Sequence, residues 1–295
     1  MDYRVKPNND VVRFVGLFMK PGLVLTLVLL GFVPADADER LVPILVNIID
    51  GADDRGSILN LGPSLGLSVA DIARIRKVSG HVGCFEPTPN VASGALYLTN
   101  DQVLTAGHLF FEDDGTPRTK CYFRQQTPGS EWLELTPDAA NARFGAVPPK
   151  AGSNNDWAIV RLAAPIADAE PFAAADAPPT VGDALIVVSA QPAGFEMFDP
   201  NVPIAQGCTV RRVPISSSTT NFYRSDCDAG GGSSGGMHLS RVGGELIFRG
   251  MTISTGPWRD PAFVGAPYDE KGGSVTTALG TDAAILAAGR DLAGD

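Results

Sequence analysis

From residue 78 onward the chain alternates short apolar runs with clusters of Gly, Pro, Asn and Asp. Ala95–Leu98, Gln102–Thr105, Trp157–Leu162, Ala184–Val188 and Leu246–Phe248 are each a few residues long and rich in aliphatic or β-branched side chains. Many short runs at this spacing predict an all-β barrel or sandwich rather than a parallel α/β sheet. Between Ala163 and Pro179 the pattern lapses into Ala, Pro and Asp, which predicts a linker between two β units of similar size. Helical periodicity is confined to two places. Ser68 with Asp71 has the spacing of a helix start, so one amphipathic helix is expected near Ser68–Lys77, inside an N-terminal extension or pro-segment over residues 38–77. A short C-terminal helix is expected over Asp282–Ala288.

The first 37 residues follow a different grammar. Arg4, Lys6, Arg13 and Lys20 precede the mostly apolar run Leu23–Val33, and Pro34-Ala35-Asp36-Ala37 supplies small residues at cleavage-site spacing. This is the pattern of a secretory signal cut after Ala37. The run falls well short of the roughly 20 apolar residues that span a bilayer, so no stable membrane anchor is expected after cleavage. Cleavage would remove four basic and three acidic side chains, moving the formal charge from −10 to −11. Such a chain offers no basic patch for phosphates, and nucleic acid is not an expected partner.

All four cysteines, Cys84, Cys121, Cys208 and Cys227, lie beyond the signal. With export and an even count, two disulfides are expected, and order and spacing favour Cys84–Cys121 and Cys208–Cys227 among three connectivities. A four-cysteine zinc site is the rival, but no C-x-x-C pair exists.

Candidate chemistry concentrates in SDCDAGGGSSGGMHL, residues 225–239. Glycines crowd two adjacent serines there, as they must where a backbone needs positive φ or an approach too close for a Cβ. A nucleophilic serine needs such a turn, its hydroxyl exposed and nearby N–H groups aimed at the oxygen on which charge develops. A flexible Gly/Ser linker is the bland alternative. A serine nucleophile also needs a base, and the chain has three histidines: His81, His108 and His238. His108 ends the apolar run Val103-Leu104-Thr105-Ala106-Gly107-His108, which aims an imidazole out of a strand end. Asp156 heads the run Asp156-Trp157-Ala158-Ile159-Val160 and could orient that base. The order His108, Asp156, Ser234 is one of the few chain orders that builds a Ser-His-Asp triad.

On these residues the chain resembles the chymotrypsin/trypsin-like serine endopeptidases, and within them the secreted bacterial members, in which a Cys-Asp pair like Cys227-Asp228 precedes the nucleophile loop. VLTAGH is similar to the family's TAAH motif, NNDWAIVRL to its Asp-bearing strand, and Gly232-Ser233-Ser234-Gly235-Gly236 to its GDSGG motif. The resemblance covers roughly Val78–Gly280. It implies two perpendicular six-stranded antiparallel β-barrels with the site between them, the first over residues 78–170 and the second over 171–295. It implies Ser234 as nucleophile, His108 as base and Asp156 as its orienting group. The amides of Gly232 and Ser234 would form the oxyanion hole, and Ser254 and Gly256 would belong to the substrate-binding strand. The implied reaction is peptide-bond hydrolysis through an acyl-enzyme by a secreted or periplasmic monomer, with protein or peptide as its partner and no cofactor or metal.

Three departures stand out. Ser233 occupies the position of the Asp that, in proteolytically activated members, pairs with a new N-terminus, and no Ile-Val-Gly-Gly start is present. Met237 replaces a usual proline and Gly107 a usual alanine. Asp228, six residues before Ser234, has the spacing of a carboxylate at the base of a Lys/Arg-binding pocket. Its alternative role is structural, as for Asp226 in the same loop. A glutamyl preference would want a histidine on the Met251–Gly256 strand, and none is there. The G-x-S-x-G string also matches an α/β-hydrolase elbow, but only His238 follows the serine, and chain order excludes that fold. A non-catalytic or latent binding protein on the protease fold is the remaining rival.

Overall fold

The computed structural model describes residues 46–213, 221–256 and 265–294, so the expected signal, residues 1–37, lies outside the described residues. No helix among the described residues is long and apolar enough to cross a membrane. The described residues form one compact unit. It is an all-β structure trimmed by short helices, and its element order follows the hydrophobic pattern.

The N-terminal stretch contributes β1 (Val46–Asn47), β2 (Gly56–Ser57), α1 (Ile58–Leu61) and α2 (Val69–Val78). The predicted helix start is present as a capping box. Ser68 Oγ accepts the Asp71 amide, and the Asp71 carboxylate accepts the Ser68 amide. Ile58, Ile75 and Val78 are fully buried, so this extension is packed into the core rather than appended to it.

Seven strands form the first sheet: β3 (Ser79–Glu86), β4 (Asn90–Tyr97), β5 (Thr99–Thr105), β6 (Thr119–Gln125), β7 (Leu133–Leu135), β8 (Ala142–Phe144) and β9 (Ala158–Arg161). They are ordered β7-β6-β3-β4-β5-β9-β8. A bridge between Leu135 and Leu162 joins β7 to the end of β9 and curls the sheet toward a barrel. Val82, Leu96, Val103, Phe123 and Val160, paired across neighbouring strands, share one face of the sheet and are fully buried. Cys84 and Cys121, paired in register across β3 and β6, form a disulfide.

The segment read as a linker is docked instead. Ile166, Ala169 and Phe172 are buried, and β10 (Ala173–Ala174) pairs in parallel with the second sheet. That sheet comprises β11 (Ala184–Ser189), β12 (Ile204–Arg212), β13 (Phe222–Ser225), β15 (Met237–Val242), β16 (Glu245–Thr255) and β17 (Thr276–Gly280), with the two-residue β14 (Ala229–Gly230) outside it. Its order β16-β15-β11-β12-β13-β17 returns to β16, which closes a six-stranded barrel without free edges. Met237 sits fully buried opposite Met251, a core position that the longer side chain fills. A disulfide joins Cys208 to Cys227. The C-terminal helix α3 (Ala283–Ala293) starts at the Asp282 N-cap and runs five residues past the expected end, to a left-handed Gly294.

Candidate active site

His108 stands one residue into a 3₁₀ turn, Gly107–Phe110, that breaks off the end of β5. Its ring is held at Asp156. His108 Nδ1 lies 2.8 Å from Asp156 Oδ2, and the His108 amide donates to Asp156 Oδ1 at 2.8 Å. A third donor, the Gly152 amide, reaches Oδ2 at 2.7 Å. Asp156 is 0% exposed, so its two oxygens find their partners in these three groups rather than in water. With Nδ1–H donated to a carboxylate, Nε2 is the nitrogen left to accept a proton. The Gly152 amide had no signal in the sequence. Ser254, of the expected substrate-binding strand, makes no hydrogen bond to Asp156 among the described residues.

The nucleophile loop is pinned from the first sheet by Ser93 of β4. The Ser93 amide donates to Ser234 O at 2.9 Å, and its hydroxyl donates to Gly232 O at 2.7 Å while accepting the Ala190 amide at 2.9 Å. Thr105 Oγ1 in turn donates to Ser93 O at 2.7 Å. Gly235 (φ +78°) is pressed into this junction, where a Cβ would lie 2.0 Å from Ser93 O. Gly232 (φ +85°) also needs the left-handed region. Among the described residues, no protein acceptor takes the amides of Gly232 or Ser234. Ser233 is buried beside Ser234, its hydroxyl accepting the Gly230 amide at 3.1 Å.

His108, Ser234, Gly230 and Ser254 line one cavity of about 270 Å³. No hydrogen bond links His108 to Ser234 in this structure, a contact that is commonly loose without substrate. Among the described residues lining the cavity, only His108 is ionisable.

The other predicted residues lie elsewhere. Gly256 donates to Val275 O at 2.7 Å and is not in the cavity lining. Asp228 is 3% exposed and outside the lining. Its Oδ1 accepts the Ile49 amide at 2.7 Å and its Oδ2 the Asp54 amide at 2.8 Å. Burial raises its carboxyl to about 6, against the lowering effect of those amides. Asp226 accepts the Thr209 amide at 2.6 Å, the structural role open to it in the sequence. His81 bonds Pro200 O, and His238 is sealed in the second barrel between Tyr223 and Thr252, where burial pushes it down to about 3. Neither is placed to serve Ser234.

Comparison with known proteins adds a family and a fold. Residues 92–247, more than half of the chain, match the family model described as a trypsin-like peptidase domain. No curated protein sequence matches. Among solved structures, a Glu endopeptidase in complex with MPD is similar at 14% identity and TM-score 0.61, covering 84% of this chain and 100% of that one. The protease Anisep from Arthrobacter nicotinovorans is similar at 15% identity and TM-score 0.52, covering 74% and 96%. A scabies mite inactivated protease paralogue, S-I1, is similar at 16% identity and TM-score 0.53, covering 74% and 95%. At such identities the likeness is one of fold.

Proposed function

The chain belongs to the trypsin-like peptidase domain family and is a serine endopeptidase by class; from that premise we propose that it cleaves peptide bonds with Ser234, His108 and Asp156. In this reading His108 Nε2 takes the proton of Ser234 Oγ as the oxygen attacks the scissile carbonyl carbon. Asp156 keeps Nδ1 protonated and stabilises the imidazolium that forms. The carbonyl oxygen becomes an oxyanion and is received by the amides of Gly232 and Ser234. Collapse of the tetrahedral adduct breaks the C–N bond, and His108 returns the proton to the leaving amine. Water, deprotonated by the same imidazole, then hydrolyses the acyl-enzyme.

The observation that carries the proposal is the shared cavity. A histidine locked by a buried carboxylate opens on it beside a serine whose loop presents two unpaired amides. The two disulfides fit an extracellular or periplasmic site of action, and we infer secretion from the N-terminal pattern.

Lys/Arg specificity would need a carboxylate in the pocket, and Asp228 spends both oxygens on main-chain amides. The neutral walls contributed by Ala229, Gly230 and Ile253 favour a small or apolar uncharged side chain at the cleaved position. Digestion of a peptide library by the full chain, expressed in an oxidising compartment, tests both parts. Cleavage after uncharged residues, abolished in Ser234→Ala, is expected. Cleavage confined to Lys and Arg sites would refute the specificity, and cleavage that survives Ser234→Ala would refute the mechanism.

A further inference from the structure

The segment between the expected signal and the first barrel takes a path that nothing in the catalytic reading uses. Val46 and Asn47 pair antiparallel with Gly230 and Ala229, the wall of the cavity and the root of the nucleophile loop. Asn47, Ile48 and Ile49 are buried there, and the Asn47 side chain donates to Val275 O. The chain then turns over Asp228, whose two oxygens take the amides of Ile49 and Asp54. Gln206 holds Asp228 from the barrel side, its Nε2 donating to Asp228 O at 2.6 Å and its Oε1 accepting the Asp228 amide at 2.8 Å.

The same strap also reaches the neighbouring loop, whose Gln191 and Pro192 backbone packs against Gly232. Arg55 is almost fully buried, paired with Asp53 at 2.8 Å, stacked over Phe195, and donates to Ala193 O at 3.1 Å. Ala193 in turn donates to Gly231 O at 2.7 Å. Gly56 and Ser57 then pair with Ala205 and Ile204 of β12, which fixes the far end of the strap. One continuous segment therefore fastens both loops that flank Gly232 and Ser234.

We propose that residues 46–57 are a built-in clamp on the nucleophile loop, and that Asp228 and Arg55 are positioning residues that hold the oxyanion amides through it. The inference rests on the triad reading above and adds to it a role for Asp228 other than substrate recognition. A carboxylate that accepts two main-chain amides at 2.7 and 2.8 Å inside the protein is a fixed structural anchor. The clamp is formed by an internal stretch of chain, so it needs no charged new N-terminus. That fits Ser233, an uncharged residue whose hydroxyl takes the Gly230 amide inside the same loop. It also assigns residues 46–57 to the working enzyme rather than to a removable pro-segment.

The test compares the full chain with Asp228→Asn and Arg55→Met in two assays: the rate constant for labelling by a small alkyl fluorophosphonate, and kcat and KM on an uncharged peptide ester. The small probe has no side chain to seat in a specificity pocket, so it reads the nucleophile and oxyanion hole alone. A misplacement of the amides predicts labelling slowed about 10–100-fold and kcat reduced with KM nearly unchanged. Unchanged labelling with only a lower melting temperature would reduce the strap to packing and overturn the proposal. Unchanged labelling with loss confined to KM on the peptide ester would return Asp228 to substrate recognition and overturn it equally. In both cases a labelled wild type leaves the triad reading standing, whereas an unlabelled folded wild type removes both.

If the variants do not fold, hydrogen exchange on the wild type reads the same coupling. Acylation of Ser234 must then slow exchange at the Ile49 and Asp54 amides, because coupling between the two sites is reciprocal. Unchanged exchange there would contradict the clamp.

Discussion

Replacing Asp156 with Asn leaves the shape of the side chain and removes the charge that three donors share. Two orientations of the amide are available. With its oxygen at the Oδ2 position, Asn keeps the Gly152 amide and His108 Nδ1–H, but turns its NH₂ against the His108 amide. With its oxygen at the Oδ1 position, it keeps the His108 amide and faces NH₂ toward Nδ1, which moves the ring proton to Nε2 and leaves no base for Ser234. In either case the imidazolium formed during attack loses its counter-charge. Two unit charges about 4 Å apart at an effective dielectric near 20 interact by about 4 kcal/mol, which is close to three decades of rate. The wrong tautomer adds to this, so a fall of about 10³–10⁴-fold in fluorophosphonate labelling and in kcat is expected. The folded state should lose about 1–3 kcal/mol for the donor left unpaired in a fully buried site. The assay is the labelling rate constant beside a thermal melt of the same sample. Labelling within tenfold of wild type, in a protein that melts normally, would mean that Asp156 does not orient His108.

Other consequences follow from the same geometry. Ser93→Ala removes one donor to Gly232 O and one acceptor for the Ala190 amide, so stability should drop by about 1–3 kcal/mol in a denaturant titration and labelling should slow with it. Gly235→Ala places a methyl group 2.0 Å from Ser93 O at a positive φ, and unlabelled or unfolded protein is expected. Opening the Cys208–Cys227 loop, 19 residues in separation, with a paired Cys→Ala change should cost about 3 kcal/mol on chain-entropy grounds, read as a lower denaturation midpoint. Asp228, raised to about 6 by burial, binds its proton more tightly folded than unfolded. Its contribution to stability is therefore full below about pH 4 and is lost as pH rises through about 6. The stability of wild type relative to Asp228→Asn should fall across that interval, and a flat difference would contradict the raised value.

The turns at strand ends that hold His108, Asp156 and Ser234 were legible because each announces itself locally. An apolar run ends in a small-residue turn, an acid heads a β-branched run, and glycines crowd a serine. The helix start at Ser68 and Asp71 was legible for the same reason, since a capping box is complete within four residues. What the sequence hid is non-local. Val46–Ile49 reads as an ordinary apolar stretch in an extension, and nothing nearby indicates that its partners are Ala229 and Gly230, almost two hundred residues on. Asp228 has the spacing of a pocket carboxylate, but its environment is set by that distant segment. The Gly152 amide is invisible for a different reason, because any residue but proline could supply it. The Ala163–Pro179 stretch looked unstructured because its buried Ile166, Ala169 and Phe172 follow neither helix nor strand period.

The most direct test of the account is to locate the adduct. The full chain is treated with a fluorophosphonate, digested, and mapped by tandem mass spectrometry beside His108→Ala. A single adduct on Ser234, lost when His108 is removed, is the predicted result. An adduct on Ser233, or none on a folded protein with both disulfides intact, would contradict the assignment of Ser234 as the nucleophile that His108 activates.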